Sequence, residues 1–369
     1  MGSLGRGRFP ICNCTAGLPR MVITSWNSQQ QSMSCSLAVV VGQGSSRSSK
    51  RREIPDHHRR NVANHLLQTA ASSVQQLLDF ERQGHLCARA FFNPQELSSL
   101  EACVTEAAES QKLNAYRHRV AVLCPGVDPF SVKTIQEAQN IIRLKGTDEL
   151  GFLQTFNLHQ RSQAVREWTI HPRLCSTVAA LLGVERVRLY QDCLFLKMPG
   201  FGETNWHSDL NMVPIDTNSF LTVWIPLRSL EKDDSSLHFA SGSHRDFALP
   251  YWQSNEGMMN LQGRGYPINT YSKLALGDLT FHHGWTLHWA PGQPLGGTHR
   301  AAWTISYFAD GARILCTKHA RRKVQEEDAW SFQAWRKDIK EGQLARHPLL
   351  PAVFPDQEKI LSARRRFST

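Results

Sequence analysis

Acidic residues are missing from the first 52 positions of this 369-residue chain, where Ser, Gln, Gly and Arg are frequent. An Arg-rich, Ser-rich, acid-poor N-terminus has the composition of an organelle transit peptide, for a mitochondrion or a plastid, so residues 1–55 are expected to stay disordered. A plain tail on a cytoplasmic protein is the alternative. Long apolar runs are absent too. The longest near the start, Leu37 to Val41, falls far below the roughly 18 residues a membrane span requires, and no span is expected. Paired cysteine motifs are also lacking. The nine cysteines (Cys12, Cys14, Cys35, Cys87, Cys103, Cys124, Cys175, Cys193 and Cys316) are odd in number, irregularly spaced and never arranged as CxxC. That excludes a disulfide framework and a cysteine-based zinc cluster, and fits reduced thiols inside a cell.

A basic surface on the folded body is missing as well, although the net charge is +10. Residues 1–60 hold nine basic residues (Arg6, Arg8, Arg20, Arg47, Lys50, Arg51, Arg52, Arg59 and Arg60) against Glu53 and Asp56. Arg364, Arg365 and Arg366 add charge at the other end. The middle is close to neutral, so nucleic acid is not an expected partner. With 41% hydrophobic and 20% charged residues, the chain can bury an ample core. A small molecule is the expected substrate partner, and the protein is expected to be a monomer or weak oligomer.

Helical spacing is present in residues 61–80, then a short strand over 85–92. Asn93 and Pro94 have the types of an N-cap and first helical residue, opening a helix to Ser110. A further helical pattern covers 164–182, interrupted at Pro172 and stopped by Gly183. From Val187 the character changes. Segments 187–197, 220–227, 236–240, 278–283 and 301–308 read as strands separated by Gly, Pro, Asn, Asp and Ser. Helices first and many short strands afterwards predict an α+β protein: a jelly-roll or cupin-like barrel, the double-stranded β-helix, flanked by N-terminal helices. The expected domain is 56–317, with 318–369 as an extension packed on it and a helix over 326–340.

The chemistry gathers in Trp206-His207-Ser208-Asp209 and in a segment that ends at His288, followed by Arg300. On an extended strand, His207 and Asp209 leave the same face with Cα atoms about 6 to 7 Å apart. An imidazole and a carboxylate at that spacing can grip one ion. A second histidine from a distant strand completes a 2-His-1-carboxylate face, which leaves positions on Fe(II) open for a co-substrate and O2. His288 is the candidate, with His282 and His283 as less favoured rivals. His238 and His244 read as hydrogen-bonded structural residues. Trp206, Tyr251, Trp252 and Trp289 are equally suited to a pocket or to the core.

These residues resemble the phytanoyl-CoA dioxygenase family of Fe(II)/2-oxoglutarate oxygenases. The resemblance rests on Val187 to Asp209 with its Trp-His-x-Asp end, Trp224, the Ser241-Gly242-Ser243-His244 turn, and the block Gly277 to Gly311. It also takes in a stretch read as helical that includes Leu153 to Leu158, and it spans roughly residues 76–315. The resemblance implies that His207, Asp209 and His288 bind iron, and that Arg300 holds the distal carboxylate of 2-oxoglutarate. A planar, permanently charged fork suits that role. The interval from His288 to Arg300 is one residue longer here than the family's, the extra residue falling in the turn 292–298. Period-2 alternation places Gln191, Cys193, Phe195 and Lys197 on one strand face, so Gln191 and Lys197 are expected to reach the co-substrate, with Trp224 as a wall. The implied reaction is hydroxylation of an unactivated C–H bond, with succinate and CO2 as co-products. Asp209 argues against a halogenase, whose relatives carry a small residue there. Two other classes stay open: a cupin-like metal barrel with non-oxidative activity, and a non-catalytic binding module.

Overall fold

The structure is a computed structural model that describes residues 74–246, 265–316 and 329–354. The expected transit peptide, the first part of the 61–80 helix, Tyr251 and Trp252 lie outside the described residues, as does the C-terminal stretch from 355 onward. Thirteen strands are present among the described residues. They are β1 (His85–Ala88), β2 (Phe152–Phe156), β3 (Val187–Lys197), β4 (Thr204–His207), β5 (Ile215–Asp216), β6 (Phe220–Pro226) and β7 (His238–Ala240), continuing with β8 (Ile268–Thr270), β9 (Leu279–His283), β10 (His288–Ala290), β11 (Arg300–Ala309), β12 (Arg313–Ile314) and β13 (Ala352–Phe354).

Seven strands form an antiparallel sheet in the order β1-β9-β6-β11-β3-β13, with β2 also paired to β3. Four others make a second sheet, β4-β10-β7-β8, and β12 pairs with β5. This is the double-stranded β-helix architecture, with two sheets that are not joined into one closed hydrogen-bonded barrel. Alternation along the central strands decides what each face does. On β6 and β11, Leu221, Val223, Ile225, Trp303, Ile305 and Tyr307 join one apolar core with Leu97, Leu100 and Val104 of the helix Pro94–Ser110 and Leu174 and Val178 of the helix Pro172–Leu182. The alternating residues Thr222, Trp224, Thr304 and Ser306 face a cavity instead. One ladder thus holds a greasy back and a polar front.

Local chemistry sets the helix limits. Asn93 accepts from Glu96 N at 2.9 Å and the Glu96 carboxylate accepts from Asn93 N at 2.8 Å, a reciprocal cap that fixes the start at Pro94. The 164–182 pattern is two helices, Gln163–Thr169 and Pro172–Leu182, and the second stops at Gly183 in the left-handed conformation, φ +64°. Two helices escaped the sequence reading, Lys112–Leu123 and Ile135–Leu144. The stretch Leu153 to Leu158, read above as helical, is mostly strand. Its β-favouring Leu, Thr and Phe pair with Leu196, Leu194 and Cys193 of β3, and the strand ends where Asn157 turns left-handed at φ 59°. The first strand ends at Ala88, because Ala90 takes a positive φ of 47°. Among the described residues the C-terminal helix covers Ala329–Arg336, ending before the expected residue 340, and packs Phe332 and Trp335 against Tyr190 and Phe220. The six cysteines among the described residues are free thiols, and no described helix is long and apolar enough to cross a membrane.

A buried polar tie pins the back of the sheet. Asp192, fully buried on β3, accepts from Trp303 Nε1 at 2.9 Å and His159 N at 3.1 Å, and also meets the His159 ring. Asp192→Ala would strand these donors in the core, which costs about 3 kcal/mol. Urea unfolding should therefore show a lowered midpoint with an unchanged slope. A midpoint equal to the wild type's would exclude this tie as a stabilising element.

Candidate metal centre

Antiparallel pairing of β4 with β10 sets His207 directly opposite His288, with ring centroids 4.2 Å apart. Asp209 reaches the same point by a different local route from the one expected. His207 ends its strand, Ser208 is extended, and Asp209 opens a 3-10 turn, Asp209–Met212, rather than continuing the strand. Leu210 forces this turn: its side chain is fully buried and its amide donates to Gly284 O at 3.0 Å. The carboxylate Oδ1 lies 3.7 Å from His207 Nε2 and 3.5 Å from His288 Nε2. One ligand atom from each of the three residues falls within 4.8 Å of the others.

Both rings are oriented by their own backbone. His207 Nδ1 lies 2.8 Å from Asn205 O, and His288 Nδ1 lies 3.0 Å from Thr286 O. A carbonyl can only accept, so each Nδ1 carries a proton, and in the neutral ring Nε2 is the atom left with a lone pair for a metal. Burial, with His207 and His282 close by, holds His288 well below the usual histidine range and therefore neutral. Burial pushes the Asp209 carboxyl up, but His288 and a hydrogen bond from His282 outweigh it and hold the group well below the usual carboxylate range. Neutral imidazoles and an ionised carboxylate are the forms that bind a divalent metal.

The cluster opens into a cavity of about 500 Å³. Its walls include Gln154, Gln191, Phe195, Trp224, Thr304 and Arg300. Arg300 is 2% exposed and sits at the first position of β11, in register with Lys197. Its Nε donates to Ser235 O at 3.0 Å and its Nη2 to Ser235 Oγ at 3.1 Å, while Nη1 is buried with no partner. The guanidinium carbon stands 5.5 Å from the centre of the Trp224 ring. Gln191 Oε1 is likewise buried and unpartnered. Lys197 is fully buried behind the wall, with Nζ donating to Ser235 Oγ at 3.2 Å and Pro291 O at 3.1 Å. Gly202 makes this burial feasible. It takes φ +84°, and a Cβ there would stand 2.7 Å from Lys197 Cγ. The donor set fits both groups: nitrogen and oxygen ligands for iron, and a buried guanidinium with an idle donor for a carboxylate.

The rival histidines are accounted for individually. His282 Nε2 lies 3.1 Å from Asp209 Oδ2, while its ring packs beside His288 with centroids 4.4 Å apart. His283 Nδ1 accepts from Trp285 N at 3.1 Å. His238 and His244 contact Ser236 O and Glu81 O. Trp206 lines the cavity and packs on Trp289, 5.8 Å between centroids. Sequence reasoning missed Ser235, which arrives from a loop with no motif, and Thr222, hidden in an apolar strand.

The model of the phytanoyl-CoA dioxygenase family matches residues 80–293, more than half of the chain and all three members of the cluster. This chain belongs to the phytanoyl-CoA dioxygenase family. It is therefore a 2-oxoglutarate-dependent oxygenase whose cofactors are iron and 2-oxoglutarate. Among solved structures, it resembles the non-heme alpha ketoglutarate dependent carbocyclase SnoK from nogalamycin biosynthesis, at 18% identity and a TM-score of 0.54 over 75% of this chain and 95% of SnoK. The epimerase SnoN in complex with Fe3+, alpha ketoglutarate and nogalamycin RO matches at 17% identity and a TM-score of 0.51, over 77% of this chain and 99% of SnoN. At these identities the likeness is one of fold. No curated protein matches the chain.

Burial, with Arg300 adjacent, lowers the Lys197 ammonium to about 6. Between pH 6 and the ordinary lysine value near 10.4, the unfolded chain then holds a proton that the folded one lacks, so this group makes folding stability rise with pH by up to about 1.4 kcal/mol per unit. Lys197→Met should remove that slope between pH 7 and pH 9 in urea unfolding. A slope unchanged by the substitution would mean that Lys197 is charged in the folded protein.

Proposed function

We propose that this family member hydroxylates an unactivated C–H bond of a small, lipid-like molecule, with succinate and CO2 as co-products. One observation carries the reading: a two-histidine, one-carboxylate cluster shares a cavity with a buried arginine that keeps one donor idle. In this reading His207, Asp209 and His288 hold Fe(II). When bound, the metal supplies the activation of O2 that is coupled to oxidative decarboxylation of 2-oxoglutarate.

The chain's own groups bind, orient and keep water out. Arg300 holds the distal carboxylate of 2-oxoglutarate through Nη1, while its other nitrogens stay fixed on Ser235. Lys197, neutral in the absence of an anion, gains a proton when that carboxylate arrives and strengthens its hold. Gln191 turns its amide towards the co-substrate, and Trp224 backs the Arg300 guanidinium. Trp206, Phe152 and Phe195 give the substrate side an apolar lining that excludes water. Asp209 fills the place that a halide would need, which favours hydroxylation over halogenation. No glycine-rich phosphate cradle is visible in the sequence, so a CoA thioester is not required of the substrate.

Anaerobic addition of Fe(II) and then 2-oxoglutarate should produce a visible charge-transfer band. His288→Ala should abolish it. Arg300→Ala should weaken 2-oxoglutarate binding by about 3 kcal/mol, roughly a hundredfold in Kd. Iron binding without any band would favour a non-oxidative metal barrel instead. The acid-free N-terminus supports delivery to a mitochondrion or plastid. Residues 1–55 fused to a fluorescent protein should reach that organelle, and a diffuse cytoplasmic signal would exclude it.

A further inference from the structure

The two oxygens of Asp209 live in different surroundings. Oδ1 faces the Nε2 atoms of His207 and His288 at 3.7 and 3.5 Å. Oδ2 is engaged by other groups, 2.6 Å from Thr222 Oγ1 and 3.1 Å from His282 Nε2. A hydroxyl has one proton to give, and Thr222 gives it to the carboxylate. The second contact of Thr222, with Ser306 Oγ at 3.0 Å, must then run in the opposite direction. The result is a directed chain: Ser306 donates to Thr222, and Thr222 donates to Asp209. His282 supplies the other donor to Oδ2. Because a carboxylate oxygen only accepts, the His282 proton is on Nε2, and the ring's remaining nitrogen is buried with no partner. Thr222, His282 and Ser306 come from three neighbouring strands, β6, β9 and β11, so the hydrogen-bonded ladder itself holds both donors in place.

We propose that Thr222 and His282 are positioning residues that restrict Asp209 to binding the metal through Oδ1 alone. The inference rests on the reading of His207, Asp209 and His288 as ligands. Carboxylates bind cations through one oxygen or both. On an octahedral ion held by two histidines, a carboxylate bound through one oxygen leaves three positions, enough for a bidentate 2-oxo acid and O2. A carboxylate bound through both oxygens would close one of the three. Two hydrogen bonds committed to Oδ2 oppose that second contact. They also explain why His282, the ring beside His288 (4.4 Å between centroids), serves the carboxylate rather than the metal.

The test uses the full chain stripped of metal, titrated with Co(II) as a spectroscopic substitute for Fe(II) under anaerobic conditions. His282→Phe and Thr222→Val each remove one donor with little change of volume, and His282→Gln restores an N–H. Thermal unfolding without metal checks that each variant is folded. The expected result is a loss of Co(II) affinity of about 10- to 100-fold in His282→Phe and Thr222→Val. Their d–d absorption should shift as the carboxylate gains its second contact, and His282→Gln should return towards the wild-type spectrum. Wild-type affinity and an unchanged spectrum in both donor-deleted variants would overturn the inference while leaving the ligand reading intact. If His288→Ala still binds one Co(II) and His282→Phe binds none, His282 is itself the ligand and the inference fails. A wild-type protein that binds no Co(II) removes the ligand reading, and this inference with it.

Discussion

The pairing of β4 with β10 is the constraint on which the site depends. It places His207 across from His288, and Asp209 needs only one more turn of chain to join them. Neither strand is long: four residues in one case and three in the other. The second sheet is held by few ladder contacts, and part of its order comes from the turn at Leu210, whose amide donates to Gly284 O. The seven-stranded sheet supplies the rigid reference. Its central strands are buried on both faces, and its inward-facing side chains carry the polar groups that meet the cluster. A short, turn-anchored sheet presents two ligands, and a long, packed sheet presents the groups that orient them.

Charge inside this scaffold is arranged unevenly. Around Asp209, one carboxylate is surrounded by three histidines and a hydroxyl, and burial keeps the His288 ring neutral. At Arg300 and Lys197, two basic side chains share Ser235, and among the described residues no carboxylate is hydrogen-bonded to either. The acidic residue nearest in sequence to Ser235, Asp234, is occupied by Arg228 and Gln293. A buried guanidinium with an idle donor is expensive to maintain without a ligand. That expense makes sense where an anion is bound and released repeatedly.

Much of this was legible from the residues alone. Pro94, Gly183 and the alternation of Val187 to Lys197 fix element limits through backbone chemistry that does not depend on the rest of the fold. His207, Asp209 and His288 could be singled out because ligand types are rare and their spacing is informative, and the geometry brings them together. What escaped was of another kind. Leu153 to Phe156 carries residues that serve helix or strand equally, and only pairing with β3 decides between them. Asp209 left the strand because of Leu210, a neighbour whose burial no local pattern announces. Ser235 and Thr222 are ordinary polar residues in ordinary surroundings. Their partners lie 65 and 13 residues away, so topology alone reveals them.

β3 has a further property, seen when its two long sides are followed separately. One side is paired along its whole length with β11. The other is covered in pieces: β2 takes Cys193 to Lys197, Asn157 donates to Asp192 O, Pro351 O accepts from Leu189 N, and β13 takes Val187 and Arg188. The last piece is delivered by a segment more than 150 residues further along the chain. Strand edges left open are templates on which other chains add themselves, the first step of aggregation. Here the longest of the described strands offers almost no free edge, and its final covering is the chain's own far segment. Residues 351–354 thereby close the Val187 to Leu189 end of this edge, while β2 closes the end that carries the cavity wall.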